Sequence, residues 1–127
     1  MIRRVLALAL ASALAAGLPG CYGSLSFGIG PDDDPPSVSL AAAPTTAAPG
    51  ERIGLVAAAD DDYAVREVQF FRIDVGGSTL LGRDSSAPYA LETTVPTGAS
   101  GTVRYFARAV DDAGQDSDSQ EVVVTVR

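Results

Sequence analysis

A two-residue apolar rhythm is the feature that most constrains this chain. Val103, Tyr105, Ala107 and Ala109 alternate with Arg104, Phe106 and Arg108, and Ile53, Leu55, Ala57 and Ala59 mark one face of an earlier run. Successive side chains of a strand point to opposite faces, so such a run buries one side of a sheet. Shorter runs repeat the rhythm: Val38 and Leu40; Tyr89, Leu91 and Thr93; Val122, Val124 and Val126. Turn-forming stretches separate them, namely Pro44 to Gly50, Asp60 to Asp62, Gly76-Gly77, Pro96 to Gly101 and Asp111-Asp112-Ala113-Gly114. Val65, Val68, Phe70 and Phe71 belong to a further strand whose alternation slips near Arg72 and Ile73, where a bulge is expected. Thr79-Leu80-Leu81 reads as a short edge strand. Downstream of residue 21 no segment shows convincing helical periodicity. The pattern predicts an all-β fold, a single immunoglobulin-like β-sandwich of about seven strands over residues 37–127.

The segment Pro36 to Val126 resembles the bacterial Ig-like domains of secreted and surface proteins. The resemblance is carried by Pro36-Ser37-Val38-Ser39-Leu40, Ala57-Ala58-Ala59-Asp60, Val68-Gln69-Phe70-Phe71, Leu80-Leu81-Gly82, Ala87-Pro88-Tyr89 and the run Tyr105 to Gly114. One departure is a longer turn from Arg72 to Thr79, where that family has a tighter hairpin. The resemblance implies an adhesive, spacer or presentation role and no shared catalytic residues; a fold alone does not carry a function.

Composition narrows the chemistry. The chain has no histidine and no tryptophan, which excludes Ser-His and Cys-His nucleophilic sites, His-ligated zinc and the strongest flat platform for sugar stacking. A small sandwich with acidic turns offers neither the cleft nor the desolvated carboxyl group that a glycosidase needs, so the expectation is that the protein is not an enzyme. The whole chain is formally −7, with 9 basic and 16 acidic residues. Without Arg3 and Arg4 the balance becomes more negative still, which repels phosphate backbones and argues against nucleic acid as a partner.

One cysteine, Cys21, gives the amino-terminal region its meaning. Arg3 and Arg4 precede an apolar run from Val5 to Ala16, followed by Leu18-Pro19-Gly20-Cys21. This order is that of a secretory signal peptide, and its last four residues resemble a bacterial lipobox. The resemblance implies a lipoprotein signal peptide over 1–20 and a diacylglyceryl group on Cys21. It further implies a membrane partner through that anchor and a place in the cell envelope. Tyr22, standing where an aspartate would retain the protein at the inner membrane, allows outer-membrane placement in a cell with two membranes. As a helix, Val5 to Leu18 spans about 20 Å, short of a hydrocarbon core of about 30 Å, which disfavours a transmembrane anchor. Cleavage at Ala13-Leu14-Ala15 is the competing route and releases a soluble protein with one unpaired thiol. Residues 21–36, rich in Gly, Pro and Asp, read as a linker.

Two sets of residues are candidates for binding. Asp32 to Asp34, Asp60, Asp61 and Asp62, and Asp111, Asp112, Asp116 and Asp118 should gather at one pole, and oxygen-rich loops of this kind hold Ca²⁺. The plainer reading, that aspartate serves turns here, is the stronger, because no Asp-x-Asp-x-Asp-Gly loop is present. No other cofactor is implied. Phe70, Tyr89 and Tyr105 fall on the inward parity; Tyr105 is a candidate for a tyrosine-corner bond to backbone. Phe71 and Phe106 fall on the outward parity, as an apolar contact surface or under partial cover by Arg72, Arg104 and Arg108. The expected function is a lipid-anchored envelope protein with a non-catalytic Ig-like binding or structural module. The alternative is a secreted adhesin or accessory subunit recognising carbohydrate or protein, with calcium as a stabiliser.

Overall fold

A computed structural model describes residues 34–127; Cys21, the expected signal peptide and most of the linker lie outside the described residues. The described chain forms nine strands: β1 (Ser37–Ala43), β2 (Thr46–Ala47), β3 (Arg52–Asp60), β4 (Val65–Asp74), β5 (Gly77–Asp84), β6 (Tyr89–Thr94), β7 (Thr102–Asp111), β8 (Asp116–Asp118) and β9 (Val122–Val126). They make two sheets, β1-β3-β6 and β2-β9-β7-β4-β5, with β8 pairing beside β7. All pairings are antiparallel except β2 with β9, which is parallel. This is the all-β sandwich expected. The two strands beyond the expected seven, β2 and β8, are two and three residues long.

The alternating runs meet between the sheets. Ile53, Leu55 and Ala57 of β3 face Val68 and Phe70 of β4, Val103, Tyr105, Ala107 and Ala109 of β7, and Val124 of β9, all in one buried cluster. Three large rings, Phe70, Tyr89 and Tyr105, are accommodated because alanines stand beside them in the same core, the interdigitation of large and small that close packing demands. Each fully buried aliphatic or aromatic side chain contributes about 1.5–3 kcal/mol over its exposed state. With a single cysteine in the chain, no internal disulfide supplements that packing.

After β1 the chain changes sheets. Thr125 donates its N–H to the Thr45 carbonyl (2.8 Å) and Arg127 its N–H to the Ala47 carbonyl (3.1 Å), so the segment around β2 closes the carboxy-terminal edge of the larger sheet. On the opposite edge, β4 and β5 form a tight hairpin. Asp74 pairs with Gly77, leaving Val75 and Gly76 as the turn, with Gly76 at φ 88° in the left-handed region that suits glycine. The longer turn expected between Arg72 and Thr79 is therefore absent, because both strands continue pairing to their tips.

The expected slip near Arg72 and Ile73 is displaced. The β4–β5 register shifts between Phe70 and Phe71, where Gly82 pairs with Phe70 and Leu80 with Phe71. The extra residue is Leu81, which packs against the core while Leu80 stays exposed. A second irregularity lies between Val65 and Glu67 against β7. Bulges of this kind twist the strand and break a regular edge.

Asp84 closes the link from β5 to β6. Its carboxylate accepts from the N–H groups of Ala90 (3.0 Å) and Ser86 (3.1 Å). These bonds, the Ala90 bond first, hold its pKa below the ordinary 3.8.

Two outcomes follow from this packing and this turn. Phe70→Ala removes a wholly buried ring and should lower the unfolding free energy by about 3–5 kcal/mol; Val56→Ala, at a half-exposed position on the outer side of β3, should change it by less than about 0.5 kcal/mol. Urea titration of both variants measures the contrast. Asp84 has a depressed folded pKa, so its stabilisation is complete above pH 3.8 and disappears as pH falls through the lower folded value. Asp84→Asn should therefore melt below the parent at neutral pH, and the gap should narrow towards about pH 2.5; melting curves across that range test it.

Candidate functional site

Three regions of the described domain hold the residues singled out in the sequence. The first is an acidic pole. Asp60 at the end of β3 pairs with Ser37 at the start of β1, and Asp111 at the end of β7 pairs with Val65 at the start of β4. The Asp112 N–H also donates to the Ala64 carbonyl (3.3 Å), tying the 61–64 and 112–115 loops together. The described acidic loops therefore share one end of the sandwich, as expected; Asp32 and Asp33 lie outside the described residues.

They do not converge on a point. Among the described residues the carboxylates of Asp60, Asp61, Asp62, Asp111 and Asp112 form no cluster of three that could hold an ion as they stand. The reason is local. Asp61 accepts from the N–H groups of Tyr63 and Ala64, both at 3.1 Å, and so closes its own loop. Asp111, wholly buried, accepts the Gln115 N–H at 2.7 Å and builds the turn into β8. Both are aspartates bonding nearby backbone, the use to which turns put this residue. The second oxygens of Asp61 and Asp111 are buried without a protein partner among the described residues.

The second region is the opposite pole, where the Pro44 to Gly50 loop, the β4–β5 turn and the Pro96 to Gly101 loop come together. The Gly50 N–H donates to the Val95 carbonyl at 2.7 Å. A cavity of about 360 Å³ opens between Arg72, Asp74, Val75, Pro96 and Ser100. Arg72 binds Asp74 through two parallel bonds, 2.8 and 3.2 Å, and Thr79 donates to the same carboxylate. Both effects, Arg72 first, hold the Asp74 pKa down. Arg72 is thus occupied at this pole and does not cover the aromatic pair. Near it, the Tyr105 hydroxyl is buried with no hydrogen-bond partner among the described residues, so the expected tyrosine-corner bond is absent. Burial pushes its pKa up, partly offset by Arg72.

The third region is the outer face of the larger sheet. Phe71 of β4 and Phe106 of β7 are direct cross-strand partners, one position out of phase with the buried Phe70 and Ala107. Their rings stack with centroids 4.9 Å apart and planes 8° from parallel. The Arg108 guanidinium carbon lies 5.3 Å from the Phe71 centroid and 5.9 Å from that of Phe106, within the range of cation–π attraction. Asp118 holds this guanidinium in place through bonds of 2.7 and 3.1 Å and is the main cause of its raised pKa. The predicted arginine cover is real but comes from Arg108; Arg104 pairs instead with Glu121 at 3.0 Å.

The face extends beyond the two rings. Leu80 pairs with Phe71 across β5 and is 40 % exposed; Val123 pairs with Arg104 across β9 and is 48 % exposed. Period two alone places Val123 outward. Leu80 needed the bulge at Leu81, which no alternation in the sequence marks. Because the rings face one another, each hides one face from solvent. The pair presents ring edges and a guanidinium, and is not a flat sugar-stacking platform.

No protein-family model and no curated protein matches this chain. Solved structures do. The chain is similar to the fibronectin(III)-like modules of Clostridium thermocellum CbhA, with 26% identity and a TM-score of 0.61 over 73% of this chain and 47% of that one. It is similar in fold to Spo0M, a sporulation control protein of Bacillus subtilis, with 9% identity and a TM-score of 0.52 over 75% of this chain and 50% of the other. The chain thus spans about half the length of each. Strand order and the two-sheet core make the described domain an all-β, immunoglobulin-like sandwich, similar in fold to a fibronectin(III)-like module.

Proposed function

We propose that this protein is a lipid-anchored component of a bacterial cell envelope whose sandwich domain binds or spaces without catalysing a reaction. The observation that carries the anchor is the order Arg3-Arg4, apolar run, Leu18-Pro19-Gly20-Cys21. Several acyl chains on one residue hold firmly where one binds only marginally, since each buried methylene contributes about 0.8 kcal/mol. The likeness to fibronectin(III)-like modules supports the non-catalytic part of the reading, because such a sandwich serves as a rigid scaffold whose function rests on its surfaces. Tyr22, the residue after the cysteine, is compatible with outer-membrane placement in a cell with two membranes. The contact surface on this reading is the Phe71–Phe106 face, with a protein rather than a glycan as partner, because the stacked rings leave no broad platform for a sugar.

The second reading, a secreted adhesin or accessory subunit, rests on Ala13-Leu14-Ala15 as an ordinary cleavage site. Growth with a clickable fatty acid separates the two. The parent chain should take the label and fractionate with membranes, and Cys21→Ser should lose the label completely. An unlabelled parent chain beginning at Ala16 in the medium would establish the secreted form instead.

A further inference from the structure

We infer that the outer face of the larger sheet is where two copies of this chain meet, in a two-fold symmetric pair centred on the Phe71–Phe106 stack. The inference rests on the lipid-anchored reading above and supplies its missing partner. Of the 16 acidic and 9 basic residues, all but Asp32, Asp33, Arg3 and Arg4 lie in the described domain. Two such acidic bodies repel each other unless they meet where the charge is balanced. On this face it is balanced. Arg108 is held by Asp118, Arg104 by Glu121 and Arg83 by Glu67, and the next carboxylate, Asp116, stands at the margin towards the acidic pole.

Composition and register favour the same surface. Leu80, Phe71 and Phe106 form a row across three neighbouring strands. Ile73 and Val123, both paired with Arg104, flank the next row. An apolar centre containing aromatics and ringed by arginine pairs has the make-up of an interface core and rim. The face is also complementary to itself. A two-fold axis through the stack brings arginine–carboxylate pairs opposite arginine–carboxylate pairs, so partners can be exchanged between copies without leaving a charge alone. Edge-to-edge pairing is the weaker route, because the bulge at Leu81 breaks the exposed edge of β5. Anchoring to one membrane raises the effective concentration of copies, so a modest interface suffices.

The test uses the full chain in its own membrane. A photo-crosslinking p-benzoylphenylalanine replaces Leu80, Val123 or, as a control on the other sheet, Val56. Fatty-acid labelling is read from the same cells, so failure of the anchor shows separately. Illumination at positions 80 and 123 should give a product of twice the chain mass containing only this chain, and position 56 should give none. Phe71→Arg, checked for folding by circular dichroism, should reduce that product roughly tenfold or more, as loss of a central aromatic anchor does. A product containing a different protein would overturn pairing between copies while leaving the face as a contact surface. Equal self-crosslinking at all three positions, or none at any of them in a labelled and folded chain, would overturn the inference altogether.

Discussion

Packing between two sheets holds this domain, and every other feature is arranged around it. With a single cysteine and a short chain, the fold depends on the rows from β3, β4 and β7 meeting in phase. Phase is the vulnerable quantity. A one-residue slip in β7 would carry Val103, Tyr105, Ala107 and Ala109 to solvent and put Arg104, Phe106 and Arg108 into the core. Desolvating two unpaired guanidinium groups makes that alternative prohibitive. The outward arginines therefore help specify the register from which the core benefits.

The same register produces the aromatic face. Phe106 is outward because Ala107 must be inward, and Phe71 joins it because Phe70 is inward and the strands are direct neighbours. Stacking and the Arg108–Asp118 clamp then limit how much of both rings meets water. Such a cover is incomplete by construction, since guanidinium groups shield ring faces more readily than edges. A surface part apolar and part paired charge is what remains.

The sequence was legible wherever period two extended over several residues. It located the core rows on β3 and β7, the turns between them, the inward Phe70, Tyr89 and Tyr105 and the outward Phe71 and Phe106. It was silent on β2 and β8, which are too short to show a period and exist because β9 and β7 offer them backbone partners. Adjacent apolar residues hid the bulge: in Leu80-Leu81, either residue satisfies an inward position. Side-chain convergence, at the acidic loops and at the Tyr105 hydroxyl, was not legible for a different reason. Strand order fixes which pole a residue occupies, but convergence of side-chain atoms depends on loop paths that Asp61 and Asp111 shape through their own backbone bonds.

Uneven charge links the fold to its surroundings. Asp61 and Asp111 satisfy backbone donors at one pole, and the carboxylates of Asp118, Glu121 and Glu67 neutralise arginines on one face. The acid excess therefore falls mainly elsewhere, on surfaces that repel one another and anionic polymers alike. Solubility and selectivity then have a common origin. The excess acid gathers at the pole of the 60–62 and 111–116 loops, while ion pairs balance the aromatic face, the smaller sheet (Arg52 with Glu92) and the opposite pole (Arg72 with Asp74, Arg127 with Glu51), so close approach on the aromatic face carries little electrostatic penalty. Because that balance lies in pairs of residues on neighbouring strands, it is as rigid as the sheet itself, and the aromatic face inherits the order of the core beneath it.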